Sequence, residues 1–165
     1  MKPMPLQPEP SREAGRFCIL KFGGSVLTGL ADYADAASET YRHVRSGEKV
    51  IVIVSALQGE TDALYAESEL VGADASPVAR ARLVRLGEFR SAALMGLALD
   101  RIGVRAVVVD PGEIGLTAEG DPLDADLCGL DAESLHKKME HADAIVVPGF
   151  TASHDAAGAA VLGRG

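Results

Sequence analysis

An α/β three-layer sandwich with a mostly parallel sheet is the fold class this sequence predicts, and three observations predict it. Four strand-length apolar runs recur along the chain, helical segments with recognisable caps separate them, and strand and helix alternate in order. A run that is apolar on both faces belongs inside a sheet covered on both sides, and parallel neighbours need a crossover, which the helices supply.

The elements follow in order. "MKPMPLQPEPSREAGR", residues 1 to 16, holds four prolines and no apolar core of a signal peptide, and reads as a disordered leader. "FCILKF" (17 to 22) is the first strand, and "ADYADAASETYRHVRSG" is a helix closed by Gly47. "KVIVIVSA" (49 to 56) is a second strand, apolar on both faces, and another helix starts near Thr61. "SPVARARLVRLGEFRSAALMGLALDRIG" reads as one long helix with Ser76 as N-cap, Pro77 in the first turn and Gly103 past its end. "VRAVVVD" (104 to 110) and "DAIVVPGF" (143 to 150) are the remaining strands, with a helix capped by Asp131 between them. The last stretch, "PGFTASHDAAGAAVLGRG", resembles a hairpin returning to a glycine-flanked Arg164.

Composition narrows the function. The chain has 165 residues, 47% of them hydrophobic, enough to bury a core in one domain or one lobe of a larger one. A net charge of -8 opposes a nucleic-acid surface, which needs cations to displace counterions, and so favours small substrates. No apolar run approaches the roughly 18 residues of a membrane span. Cys18 and Cys128 are far apart in sequence, with no C-x-x-C and no histidine at ligand spacing, so no disulfide framework and no metal site is expected; a reducing cytoplasm fits.

In parallel sheets ligands sit at the carboxyl ends of the strands. The first strand ends in Lys21, Gly23, Gly24 and Ser25, a turn that can bring backbone N–H groups and a cation to phosphate oxygens, or can be a plain Gly-Gly turn. The second ends in "VSALQGETDAL", where Thr61 is either a helix cap or, with Ser55 and Asp62, part of a site. Gly87 weakens its helix by about 1 kcal/mol relative to alanine, which suggests that something needs the space. Beside it, Glu88 is either a solvated partner of an arginine or a functional carboxylate. His154 and Asp155 face a substrate or, more simply, sit in a solvated loop.

Taken in order, "KFGGS", "VSALQGETDAL", "GEFRSAAL" and "VPGFTA" followed by "LGRG" resemble the amino-acid kinase family, and within it the aspartokinases, over residues 17 to 165. The resemblance implies the amino-acid/carbamate kinase-like sandwich and assigns roles. Lys21 would be the catalytic lysine on the transferred phosphoryl group, with Gly23, Gly24 and Ser25 as the phosphate-binding turn. Ser55, Thr61, Glu88, Phe150 and Arg164 would bind the amino-acid substrate, Glu88 through its ammonium and Arg164 through a carboxylate. "KFGGSV" is one hydroxyl residue shorter than the family's K-F-G-G-T-S-V. The implied reaction is ATP-dependent phosphorylation of the side-chain carboxylate of L-aspartate to 4-phospho-L-aspartate, with Mg²⁺ bound with the nucleotide. The implied setting is amino-acid biosynthesis, with no nucleic-acid or membrane partner and a homo-oligomer left open. On that resemblance residues 17 to 165 form an amino-acid-substrate lobe, cut before the nucleotide lobe and expected to have little activity alone. The alternatives are the front of a fused aspartokinase and homoserine dehydrogenase, or a non-catalytic amino-acid-sensing or subunit-partner lobe.

Overall fold

The computed structural model describes residues 16–163, so residues 1–15 of the expected leader and Arg164 lie outside the described residues. Four strands form one parallel sheet: β1 (Phe17–Phe22), β2 (Lys49–Val54), β3 (Ala106–Val108) and β6 (Ala144–Pro148), in the order β1-β2-β6-β3. The last strand in sequence thus inserts between the second and third. β6 is buried along its whole length, whereas β1 is an edge strand that leaves Phe17, Ile19 and Lys21 exposed.

Alternation along the strands sets the layers. Val50, Val52, Val54, Ala144 and Val146 face α1 (Asp32–Arg45) and α4 (Leu86–Arg101), packing with Tyr33, Ala37, Met95 and Leu99. Ile51, Ile145 and Val147 point the other way, against Met139 and Leu135 of α5 (Ala132–Glu140). Helix, sheet and helix therefore form the three expected layers. Each fully buried Val, Leu or Met contributes about 1.5–3 kcal/mol relative to an exposed one.

A row of charge closes the amino ends of β2, β6 and β3. Asp143, just before β6, accepts a bidentate pair from Arg105 at 2.7 and 2.8 Å and lies 3.7 Å from the Lys49 ammonium. Lys49 also donates to the Ala142 carbonyl. The Arg105 guanidinium beside Asp143 holds its carboxyl below the usual range.

Most predicted caps are present. Ser76 accepts from the Ala79 amide at the start of α3 (Pro77–Val84), and Asp131 accepts from the Glu133 and Ser134 amides at the start of α5. Gly47 and Gly103 follow their helices with φ of +87° and +79°, conformations glycine adopts without strain.

Two expectations are corrected. The single long helix is two, α3 and α4, interrupted at Arg85, two residues before Gly87, where a glycine weakens the helix. Residues between β3 and α5 form an antiparallel hairpin, β4 (Thr117–Asp121) and β5 (Asp124–Gly129), that the apolar-run reading passes over. Its core is small: Ala118 and Ala125 meet Ala152 and Ala160 of the expected closing hairpin, β7 (Thr151–Ala152) and β8 (Ala160–Val161). No described helix is long and apolar enough to cross a membrane.

Candidate active site

At the carboxyl ends of β1, β2 and β6 the chain leaves a cavity of about 330 Å³. Its wall is the loop from Ser55 to Gly59, with Gly24 on one side, Thr61 and Asp62 on another, and Glu88 and Phe150 closing it. Five of the nine sequence-derived site residues, Gly24, Ser55, Thr61, Glu88 and Phe150, thus line one hollow.

Glu88 organises this hollow. It is 2% exposed, and its carboxylate accepts three backbone amides: Ala56 at 2.9 Å on Oε1, and Gly149 and Phe150 at 3.1 and 3.2 Å on Oε2. The two loops leaving β2 and β6 are thereby tied to one side chain on α4. A carboxylate has about four lone-pair positions, so three amides leave one acceptor position, on Oε1. Burial pushes the Glu88 carboxyl above its ordinary value, the three amides oppose that rise, and nearby Glu60 adds to it. A buried carboxylate with one free lone pair suits a cationic group. The solvated ion-pair alternative does not hold: Arg90 pairs instead with Glu60 at 3.0 Å, and Arg85 lies over the Phe89 ring.

Gly87 explains how Glu88 gets so close. A Cβ there would meet the Ala56 Cβ at 3.0 Å and Leu64 Cδ1 at 3.3 Å, so α4 presses directly on the loop after β2. Behind that loop, Tyr33 and Ser91 hydroxyls bond at 2.7 Å, and Ser91 donates to the Ser55 carbonyl at 2.6 Å. Both braces escaped the sequence reading, although Ser91 stands inside "GEFRSAAL". Asp62, which the sequence places beside Ser55 and Thr61 at the strand exit, also lines the cavity.

Thr61 is not a cap. α2 (Glu60–Gly72) begins after Gly59, whose φ of +79° makes the turn, and Thr61 is its second residue, free to face the hollow. Gly23 and Gly24 have no positive φ, so their value is space: a Cβ on Gly23 meets nothing, and one on Gly24 would lie 3.6 Å from the Ala56 carbonyl oxygen. The Gly23 carbonyl accepts from the Val26 and Leu27 amides, which folds the turn tightly. Lys21 and Ser25 are exposed, and with Gly23 they border the hollow at the end of β1 without lining it. His154 bonds to the Gly120 carbonyl and accepts from the Ala157 amide, so it pins a loop rather than the cavity.

Comparison with known proteins gives the same direction. The sequence profile of the amino acid kinase family matches residues 16–165. An aspartokinase of Helicobacter pylori strain J99 is 27% identical over 147 residues, covering 89% of this chain and 36% of that protein. An aspartokinase of Geobacillus stearothermophilus is 26% identical over the same length with the same coverage. The chain therefore spans about a third of the length of these relatives. Among solved structures, an aspartate kinase from Synechocystis superposes with a TM-score of 0.76 at 24% identity, over 90% of this chain and 24% of that one. Aspartokinase III of E. coli, in complex with lysine and aspartate, superposes with a TM-score of 0.78 at 18% identity, over 91% and 44%.

Proposed function

The chain belongs to the amino acid kinase family, and from that premise we propose that residues 17 to 165 form the acceptor side of an aspartate kinase. The reaction is transfer of the γ-phosphoryl group of ATP to the side-chain carboxylate of L-aspartate. The observation that carries this reading is the buried Glu88 carboxylate in a hollow lined by Ser55, Thr61 and Phe150. Aspartokinases among the relatives support the choice of acceptor.

The proposed roles rest on the family resemblance together with the lining of the cavity. Glu88 holds the substrate ammonium through its remaining lone pair, and the ionised form gains what burial had taken from it. Ser55 and Thr61 offer hydroxyls for the rest of the amino acid and Phe150 closes the pocket; on the family resemblance alone, Arg164, outside the described residues, grips a carboxylate with its planar fork. Aspartate's own carboxylate is ionised at neutral pH, so it attacks without a general base. Two anions must then approach each other. Lys21, exposed at the end of β1, and the open turn Gly23, Gly24 and Ser25 fit polyphosphate oxygens, because a cation and unobstructed backbone stand together there. ATP supplies the electrophilic phosphorus and Mg²⁺ offsets charge on its oxygens. The chain's part is to orient the acceptor and neutralise it. A cytoplasmic enzyme of amino-acid biosynthesis is the setting this implies.

The test is ligand discrimination by titration calorimetry together with turnover in the native gene product. L-aspartate is expected to bind, succinate, which lacks the ammonium, to fail, and Glu88→Gln to abolish the difference. Lys21→Ala is expected to lower kcat by roughly 10²–10³-fold with aspartate affinity kept, as for loss of one transition-state charge partner. Equal binding of succinate and aspartate would refute the role of Glu88. Binding without any turnover would turn the reading towards an amino-acid-sensing lobe.

A further inference from the structure

At the amino ends of the strands, roughly 15 Å from the cavity at about 3.3 Å per strand residue, lies a second group of functional side chains. Cys18 is the second residue of β1, Glu48 directly precedes β2, and His43 sits in the last turn of α1, which returns to that edge of the sheet. One ligand atom from each of the three lies within 4.8 Å of the other two. We propose that Cys18, His43 and Glu48 form a binding site for a zinc-class divalent transition metal, independent of the kinase reading.

Sequence spacing excluded such a site because the three residues lie 25 and 5 positions apart in no metal-binding pattern; parallel pairing of β1 with β2 brings them together. Thiolate, imidazole and carboxylate are a donor set suited to a borderline-soft dication rather than to Mg²⁺ or Ca²⁺, which prefer oxygen alone. The outer shell is present as well. His43 Nδ1 lies 2.6 Å from Glu48 Oε2, and its Nε2 lies 3.5 Å from Glu39 Oε1. A carboxylate on the far nitrogen is the arrangement that orients a metal-bound imidazole and raises its basicity. Glu39 is held in turn by Arg42 at 2.6 Å, and Ser46 Oγ donates to Glu48 at 3.3 Å.

Burial, Glu48 and Glu39 all push the Cys18 thiol up, which makes it a poor nucleophile and argues against a catalytic cysteine. A bound dication offsets the two carboxylate charges and favours the thiolate. On binding, the Cys18 thiol gives up its proton to solvent, the His43 ring proton moves from Nδ1, beside Glu48, to Nε2, beside Glu39, three donor bonds form, and water takes the fourth tetrahedral position. Donors about 2.0–2.3 Å from the metal stand about 3.4–3.7 Å from one another in a tetrahedron. The His43–Glu48 pair must therefore open by about 1 Å, within reach of side-chain rotation. All three side chains are half-buried, so the site is open to entry.

Cobalt(II) is the probe, added to the full chain and followed by absorption. A thiolate-to-cobalt charge-transfer band with tetrahedral visible bands is expected, saturating at one equivalent and erased by zinc. Cys128→Ser is expected to keep the bands and Cys18→Ser to lose the charge transfer with far-UV circular dichroism unchanged. Glu39→Gln is expected to weaken affinity by about 10–100-fold with the spectrum kept, the usual effect of an outer-shell carboxylate. Alkylation of wild-type Cys18 by iodoacetamide, read by peptide mass, is expected to be blocked by zinc, and this needs no variant to fold. No charge-transfer band, bands that survive Cys18→Ser, or alkylation unaffected by zinc would each overturn the site.

Discussion

Glu88 shows what one side chain can do when its neighbours are backbone. In the sequence it is an acid in a helix, and a solvated pair with an arginine is the simplest reading; in the fold it receives three amides from two loops. Replacing it by glutamine keeps the shape but turns a donor towards donors, and a loss of about 1–3 kcal/mol in chemical denaturation is expected. The pH dependence has a definite sign. Because burial raises the Glu88 carboxyl in the native state, the folded protein keeps a proton that the unfolded chain has released, between the ordinary value of about 4.3 and the raised one. The extra stability is fully present below the ordinary value and is lost as pH rises through that window. Wild type is therefore expected to lose stability relative to Glu88→Gln as pH rises there; a difference that grows with pH would contradict this. No local pattern around residue 88 contains this information, since Ala56, Gly149 and Phe150 come from other parts of the chain.

Elements were the easiest scale to read. The four strands, α1, α5 and the Ser76 and Asp131 caps follow from apolar runs and local capping chemistry, both of which act within a few residues. What escaped was set by contact at a distance or by weak composition. The β4–β5 hairpin alternates alanine and leucine with acids and glycine, so its apolar signal is small and its core is made of alanines. Gly87 is the point where element packing overrides propensity. Alanine there would gain about 1 kcal/mol of helix propensity, yet its methyl would stand 3.0 Å from the Ala56 Cβ on a loop already fixed by Glu88 and Ser91. Overpacking of this kind costs about 1–3 kcal/mol. Gly87→Ala is expected to lower the unfolding midpoint, and to weaken amino-acid binding more than it lowers stability. An unchanged or raised midpoint would mean that the loop gives way freely.

At the scale of the whole molecule, strand order is what the sequence withheld. A crossover helix brings the chain back to the same sheet but does not say beside which strand, and here β6 enters between β2 and β3. That order ranks the strands by protection. β2 and β6 have paired neighbours on both sides and cores on both faces, β1 and β3 pair on one side only within the described residues, and β4–β5 packs on alanines. Hydrogen exchange followed by mass spectrometry is expected to be slowest in β2 and β6, intermediate in β1 and β3, and fastest in β4–β5. Equal protection of β1 and β6 would be inconsistent with the edge position of β1.

The charge row of Lys49, Asp143 and Arg105 has a consequence for how this sheet is counted. An antiparallel pair can take its alignment from the length of its turn, but parallel strands joined through helices have no such ruler. The three residues stand immediately before Val50, Ala144 and Ala106, which are themselves partners across the sheet. Sliding β6 by a single position would send Ile145 and Val147 towards α1 and α4, and Ala144 and Val146 towards α5. The same slide would pull Asp143 away from both cations at once. The row is thus an odd-even check: it rejects misaligned versions of the sheet that hydrophobicity, nearly equal on the two faces of β6, would tolerate.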